Sequence, residues 1–157
     1  MKNIQPEKKI AMLLYYYFPY TSGLSVNAKR IAEELVKRGY QVNVFTSKFQ
    51  KELPDKETIN GVSIVRYKPL FKFGKGLFIP QFILNIKKIA HEHNIVNFHL
   101  PLAEAGIASL LINPRKLITT YVCDLNMGNG LINKIIEKTS FFLMDLILSS
   151  KEKSKIL

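Results

Sequence analysis

Apolar runs of strand length alternate with longer amphipathic stretches along this chain, and few architectures accept that order. Residues 9–17 read as a buried first strand, with Ile10, Met12, Leu13 and Leu14 supplying its apolar mass. Pro19 and Gly23 then break the pattern, as these residue types do. A helix is predicted over residues 24–38, turning Ile31, Leu35 and Val36 toward the core. Ser22 or Ser25 can cap its start, and Gly39 can end it in a left-handed conformation. Residues 41–46 read as a second strand and 61–67 as a third, separated by a polar excursion with Pro54 and the turn signal Asn60-Gly61. Further on come a helix over 77–91, a strand over 95–99, a short helix over 103–111 and a strand over 116–121. A helix over 131–144 and a strand over 146–149 complete the series. The alternation predicts right-handed crossovers over a mostly parallel sheet, an α/β fold of Rossmann-like layering.

At 157 residues the chain holds one domain with a real core rather than two. No apolar run reaches the roughly 18 residues of a membrane-spanning helix, so neither a transmembrane segment nor a secretory signal is expected. A single cysteine, Cys123, excludes an internal disulfide framework and fits a reducing, cytoplasmic compartment. After the strand ending near Ser150 only one helical turn of sequence follows. One turn cannot cover a sheet face, which predicts an architecture cut short at this end.

Formal charge is +11, from 23 Lys and Arg against 12 Asp and Glu. Residues 62–91 carry Arg66, Lys68, Lys72, Lys75, Lys87 and Lys88 with no acidic residue, interleaved with Tyr67, Phe71, Phe73 and Phe78. Such a patch suits anionic lipid, nucleic acid or a phosphorylated substrate, and a solvated loop before an amphipathic helix accounts for it equally simply. No nucleic-acid-binding module accompanies the charge, so nucleic acid is not the expected partner.

In open α/β sheets ligands gather beyond the C-terminal ends of the strands. Three connections of this chain fall there. In the first, Gly23 can let backbone approach a ligand at the helix N-terminus, or can simply ease a turn. Neither a dinucleotide G-x-G-x-x-G nor a phosphate-loop pattern follows the first strand, which argues against a small NAD-binding domain. In the second, His99 ends its strand just before Leu100-Pro101, a placement that favours exposure to a crevice, with a buried, backbone-satisfied histidine as the alternative. Glu104 can orient a sugar hydroxyl or accept helix N-terminal amides. In the third, Asp124 can position an imidazole, hold a hydroxyl or cap a turn. Cys123 reads better as a small core residue than as a nucleophile, because no positive neighbour would favour its thiolate. His91 and His93 sit near a helix end, where a cation is favoured, and no metal-ligand spacing joins them to His99.

Taken in order, these segments resemble the N-terminal domain of a family 4 glycosyltransferase of the GT-B fold, over nearly everything from Lys9 to Leu157. Pro19, Ser22-Gly23 and Lys37-Arg38-Gly39 occupy the places of the family's proline, its Gly-Gly pair and its basic-Gly step, with Ser22 replacing the first glycine. Asn97-Phe98-His99-Leu100-Pro101 matches H-x-H-x-P with Asn97 at the first histidine. Thr120-Tyr121-Val122-Cys123-Asp124 matches T-Y-H-x-D with Val122 where the family has the histidine that supports catalysis. A valine side chain neither accepts nor donates a proton, so no catalytic residue is assigned outright. His99 and Asp124 are the catalytic candidates, and Ser22, Gly23, His99 and Glu104 the acceptor-binding ones.

The resemblance implies transfer of a sugar from a nucleotide-sugar donor to a glycan or lipid-linked acceptor bound mainly by this domain. It also implies a partner: a C-terminal donor-binding domain, in the same protein or separately encoded. On that reading the chain binds no cofactor or metal itself, is inactive alone, and works in the cytoplasm or at the inner face of the membrane, where the basic segment meets anionic lipid. The alternative, which Val122 favours, is a degenerate, noncatalytic binding or partner module that kept the fold and lost the chemistry.

Overall fold

The computed structural model describes residues 8–73, 76–112 and 117–121. Strand β1 (Lys9–Leu13) lies inside a sheet with β2 (Gln41–Ser47), β3 (Lys56–Ile59), β4 (Val62–Tyr67), β7 (Ile95–Leu100) and β8 (Leu117–Tyr121), in the order β3-β4-β2-β1-β7-β8. All neighbours run parallel except β3 and β4, which form an antiparallel hairpin. A separate two-stranded ribbon joins β5 (Phe71–Phe73) to β6 (Gly76–Phe78). The α/β, mostly parallel architecture read from the sequence is therefore the one observed. Residues 131–149, expected to add a helix and a strand, lie outside the described residues.

Helices flank the sheet because β1 is apolar on both sides. Ala11 and Leu13 join one core cluster with Phe98, Phe82 and Ile86, while Ile10 and Met12 join another with Val44, Ile64, Ala28 and Ala32. Successive strand residues point to opposite faces, so each cluster is one side of the sheet. Helix α1 (Gly23–Lys37) covers the second; α2 (Pro80–Glu92) and α3 (Ala105–Leu110) cover the first. The chain steps outward from β1 to β2 and β4, then returns to β7 on the far side of β1. That reversal opens a crevice outside the C-terminal ends of β1 and β7.

Local chemistry sets the element ends. Ser22 is the N-cap of α1, accepting from the Ser25 backbone N–H while Ser25 Oγ accepts from the Ser22 N–H, a reciprocal capping box. Gly39 leaves the helix at φ +84, as expected for its terminator. Strand β3 was not foreseen, because Lys-Glu-Thr-Ile offers an edge strand with one apolar residue and no core pattern. The turn joining it to β4 has both Asn60 (φ 50) and Gly61 (φ 79) in the left-handed region, the geometry of a two-residue hairpin loop. Helix α2 starts at Pro80 rather than near residue 77, because residues 76–78 pair into β6 and proline suits the first helical turn.

Gly61 is also tight: a Cβ there would meet Val36 Cγ1 of α1 at 2.7 Å. Gly61→Ala should lower stability by about 1–3 kcal/mol, from the left-handed backbone and the displaced valine together. Urea denaturation would read this as a fall in midpoint with little change in slope.

Candidate functional site

The rim at the ends of β1 and β7 is organised by Tyr15. Its backbone carbonyl accepts from Ser47 N and Thr46 Oγ1, each at 3.1 Å, and from the Ser47 hydroxyl. Its phenol accepts from Ala103 N at 2.8 Å and donates to Glu104 Oε2 at 2.9 Å. The other carboxylate oxygen of Glu104 accepts from the Ile79 backbone N–H, at the entrance to α2. Tyr15 and Glu104 thus tie together β1, β2, the loop after β7 and the start of α2.

Glu104 was expected to orient a sugar hydroxyl or to accept amides of its own helix. In the structure it is 1% exposed, and although it stands at the N-cap of α3 its side chain makes no cap bond there. Both oxygens are engaged by Tyr15 and Ile79, so its visible role is to hold the rim. Burial pushes its carboxyl above the usual range, partly offset by the Ile79 N–H, its own backbone N–H and the Tyr15 hydroxyl. Burial, and next the nearby Glu104 charge, push the Tyr15 phenol far up, which keeps it a protonated donor. Tyr15→Phe would leave a buried carboxylate oxygen and the Ala103 N–H short of a partner. A loss of about 1–3 kcal/mol in urea unfolding is expected.

His99 also departs from expectation. It is fully buried rather than exposed to a crevice, on the sheet face shared with Met12, whose register partner is Asn97. Thr120 Oγ1 of β8 donates to Asn97 Oδ1 at 3.0 Å, and Asn97 Nδ2 stands 3.3 Å from His99 Nε2. With its oxygen engaged by Thr120, Asn97 presents its amide N–H to Nε2, which fixes the proton on Nδ1. That Nδ1 is buried and has no hydrogen-bond partner among the described residues. Asn97, the departure from the H-x-H pattern, thus orients the histidine that remains.

Burial lowers the His99 pKa to about 4, so the ring is neutral at pH 7. The folded value lies below the ordinary 6.5, so the unfolded chain binds the proton more readily. The resulting stability is complete above pH 6.5 and is lost as pH falls toward 4, by an amount on the order of 3 kcal/mol. Urea midpoints measured across that window should fall for the native chain and fall less for His99→Gln.

The remaining candidates separate. Gly23 begins α1 with nothing within 4 Å of where its Cβ would be, so open space rather than backbone strain distinguishes it. Arg66, counted in the basic patch, belongs to the interior instead. Its side chain is 0% exposed, pairs with Glu57, and donates to Phe18 O at 2.9 Å and Pro54 O at 3.3 Å. Facing the α1 side of β4, it secures the loop between β1 and α1. Lys68 and Lys72 are exposed, whereas Lys75 lies outside the described residues, as do Val122, Cys123 and Asp124. His93 is buried: its Nδ1 lies 2.6 Å from Ile89 O, its Nε2 lies 2.8 Å from Asn43 Nδ2, and burial lowers its pKa. It is a packing residue rather than a helix-end cation.

A shallow concavity of about 320 Å³ lies beside the end of β4, lined by Lys56, Tyr67, Lys68 and Gln81 among others. Among the described residues no cluster of His, Cys, Asp and Glu is built to hold a metal, and no helix is long and apolar enough to cross a membrane. Tyr15 was the rim residue least visible in the sequence, and the signal was present. Tyr15-Tyr16-Tyr17 ends an otherwise aliphatic strand, and a buried phenol needs a polar partner.

A model of the family described as Glycosyltransferase Family 4 matches residues 21–127, more than half of the chain. An uncharacterized glycosyltransferase of Methanocaldococcus jannaschii is 41% identical over 63 residues, which is 40% of this chain and 16% of that protein. The solved structure of a sucrose-phosphate synthase from Thermosynechococcus elongatus superposes with a TM-score of 0.53 at 16% identity, over 84% of this chain and 39% of that one. At such identity the superposition speaks for the fold alone. Both matches span less than half of the known protein's length.

Proposed function

This chain belongs to glycosyltransferase family 4, and on that footing we propose that it forms the acceptor-side half of a sugar transferase. The acceptor, a glycan or a lipid-linked saccharide, sits in the crevice beyond β1 and β7. A nucleotide-sugar donor is held across from it by a second domain. The observation that carries this reading is the strand-order reversal between β1 and β7, with the Ser22-capped N-terminus of α1 and the 100–104 loop both following the C-terminal ends of those strands. Ser22, Gly23 and the first N–H groups of α1 suit an anionic or hydroxyl-rich acceptor, through the helix's positive end.

The reaction requires the acceptor hydroxyl to lose a proton as the bond from the anomeric carbon to the nucleotide breaks. Val122 contributes nothing to that proton transfer. His99, fully buried and with its Nε2 already facing the Asn97 amide, does not take up that proton, and Asp124, two residues beyond Val122, is the other candidate. Tyr15 and Glu104 act at one remove, by holding the rim loops in place. Since the donor platform belongs to the second domain, this chain alone brings together only half of the reacting geometry.

Transfer assays with a panel of nucleotide sugars and lipid-linked acceptors should therefore detect no turnover by this chain alone. Robust turnover would overturn the reading. A second reading, a noncatalytic binding module, is favoured by Val122. Val122→His, in a chain supplied with a donor-binding domain, distinguishes the two. A rise in transfer supports the catalytic ancestry of the site, and no gain favours the binding role.

A further inference from the structure

We infer that Tyr20, seated on Tyr16 and braced by Phe49, is a stacking platform for a neutral pyranose ring of the acceptor. The inference rests on the acceptor-side reading of the crevice and adds a sugar contact to it. The rings come from separate stretches: Tyr16 after β1, Tyr20 in the loop to α1, and Phe49 after β2. All three stretches follow the C-terminal ends of their strands, the edge where ligands gather in such folds. Tyr16 packs against the core cluster that α2 and α3 cover. Tyr20 lies on Tyr16, with ring centroids 4.4 Å apart and planes 25° apart. Phe49 meets both rings in T-shaped contacts, at 6.0 Å from Tyr16 and 5.4 Å from Tyr20. The layers thus run outward from the core, and Tyr20 is the outermost, 37% exposed.

An aromatic side chain on a loop is ordinarily free to swing, but this one is held at both of its backbone groups. Its N–H donates to Tyr17 O at 3.0 Å, and its carbonyl accepts from Ser25 Oγ at 2.7 Å. Ser25 also completes the capping box with Ser22, so the platform and the start of α1 are fixed to one another. Tyr16 takes one face of Tyr20, which leaves the exposed area to the outer face and rim of that ring. A π face is electron-rich, and a pyranose presents a flat face of polarised C–H groups that matches it. The sugar's hydroxyls then lie at the ring's margin, where phenol and amide groups are suitable partners. A nucleobase would also stack, but its phosphates call for cations, and Lys48 beside Phe49 is already paired with Asp55 at 2.6 Å. A neutral sugar is the better chemical match.

Saturation-transfer NMR on the full chain tests this, with methyl β-glucopyranoside as the probe and sorbitol as the open-chain control. The axial ring protons of the glucoside should receive most of the saturation, and sorbitol little. Tyr20→Leu keeps an apolar side chain without the flat π face and should weaken glucoside binding roughly tenfold, whereas Tyr20→Phe should retain it. The chain contains no tryptophan, so Tyr20→Trp adds a single reporter, whose emission should change with glucoside and not with sorbitol. Equal response to glucoside and sorbitol, undiminished binding by Tyr20→Leu, a silent Trp, or preferential uptake of uridine would each overturn the inference. Glucoside binding that survives Tyr20→Leu keeps the acceptor-side reading and removes only the platform. Binding that depends on Tyr20, in a chain that supports no transfer even with a donor-binding domain, keeps the platform and removes only the catalytic reading.

Discussion

The phenol of Tyr15 is the contact around which the candidate site is built. A parallel sheet supplies a crevice at its topological switch point, but the loops bordering that crevice have no ladder to fix them. Tyr15 supplies the missing constraint, bridging from the end of β1 to Ala103 and Glu104, while Glu104 reaches on to Ile79. A buried tyrosine-carboxylate pair of this kind is stable only if every lone pair and proton finds a partner. Here the partners come from three separate stretches of sequence, so the loops are placed together or not at all.

Most of the framework was legible in the sequence because its signals are local. The apolar run at Ile10–Leu14, the break at Pro19, the stop at Gly39 and the Asn60-Gly61 turn each state a backbone requirement within a few residues. What was not legible depended on tertiary company. β3 is a strand only because β4 offers it an edge, and the β5–β6 ribbon displaces the start of α2 by three residues from where its apolar pattern begins. His99 looked like a rim residue from its place before Leu100-Pro101, yet strand alternation turns it into the interior on the face shared with Met12, beside Asn97.

How the candidate residues are held was not legible in the sequence. The expected family pattern singled out His99, but it does not say that Asn97 holds its ring, or that Thr120 orients Asn97 in turn. Those relationships follow from register: β7 and β8 run parallel with His99 opposite Thr120, and side chains two residues apart share a face.

Arg66 carries a broader consequence for reading charge. Its guanidinium spreads contacts toward Phe18, Pro54 and Glu57, a forked reach that a lysine ammonium cannot reproduce from a single point. A cation enclosed in this way projects little potential into solvent, although it counts in full toward the formal total. The positive field outside the molecule is consequently narrower than the run of basic letters suggests, and a counter-ion or ligand would sense the lysines beyond it first.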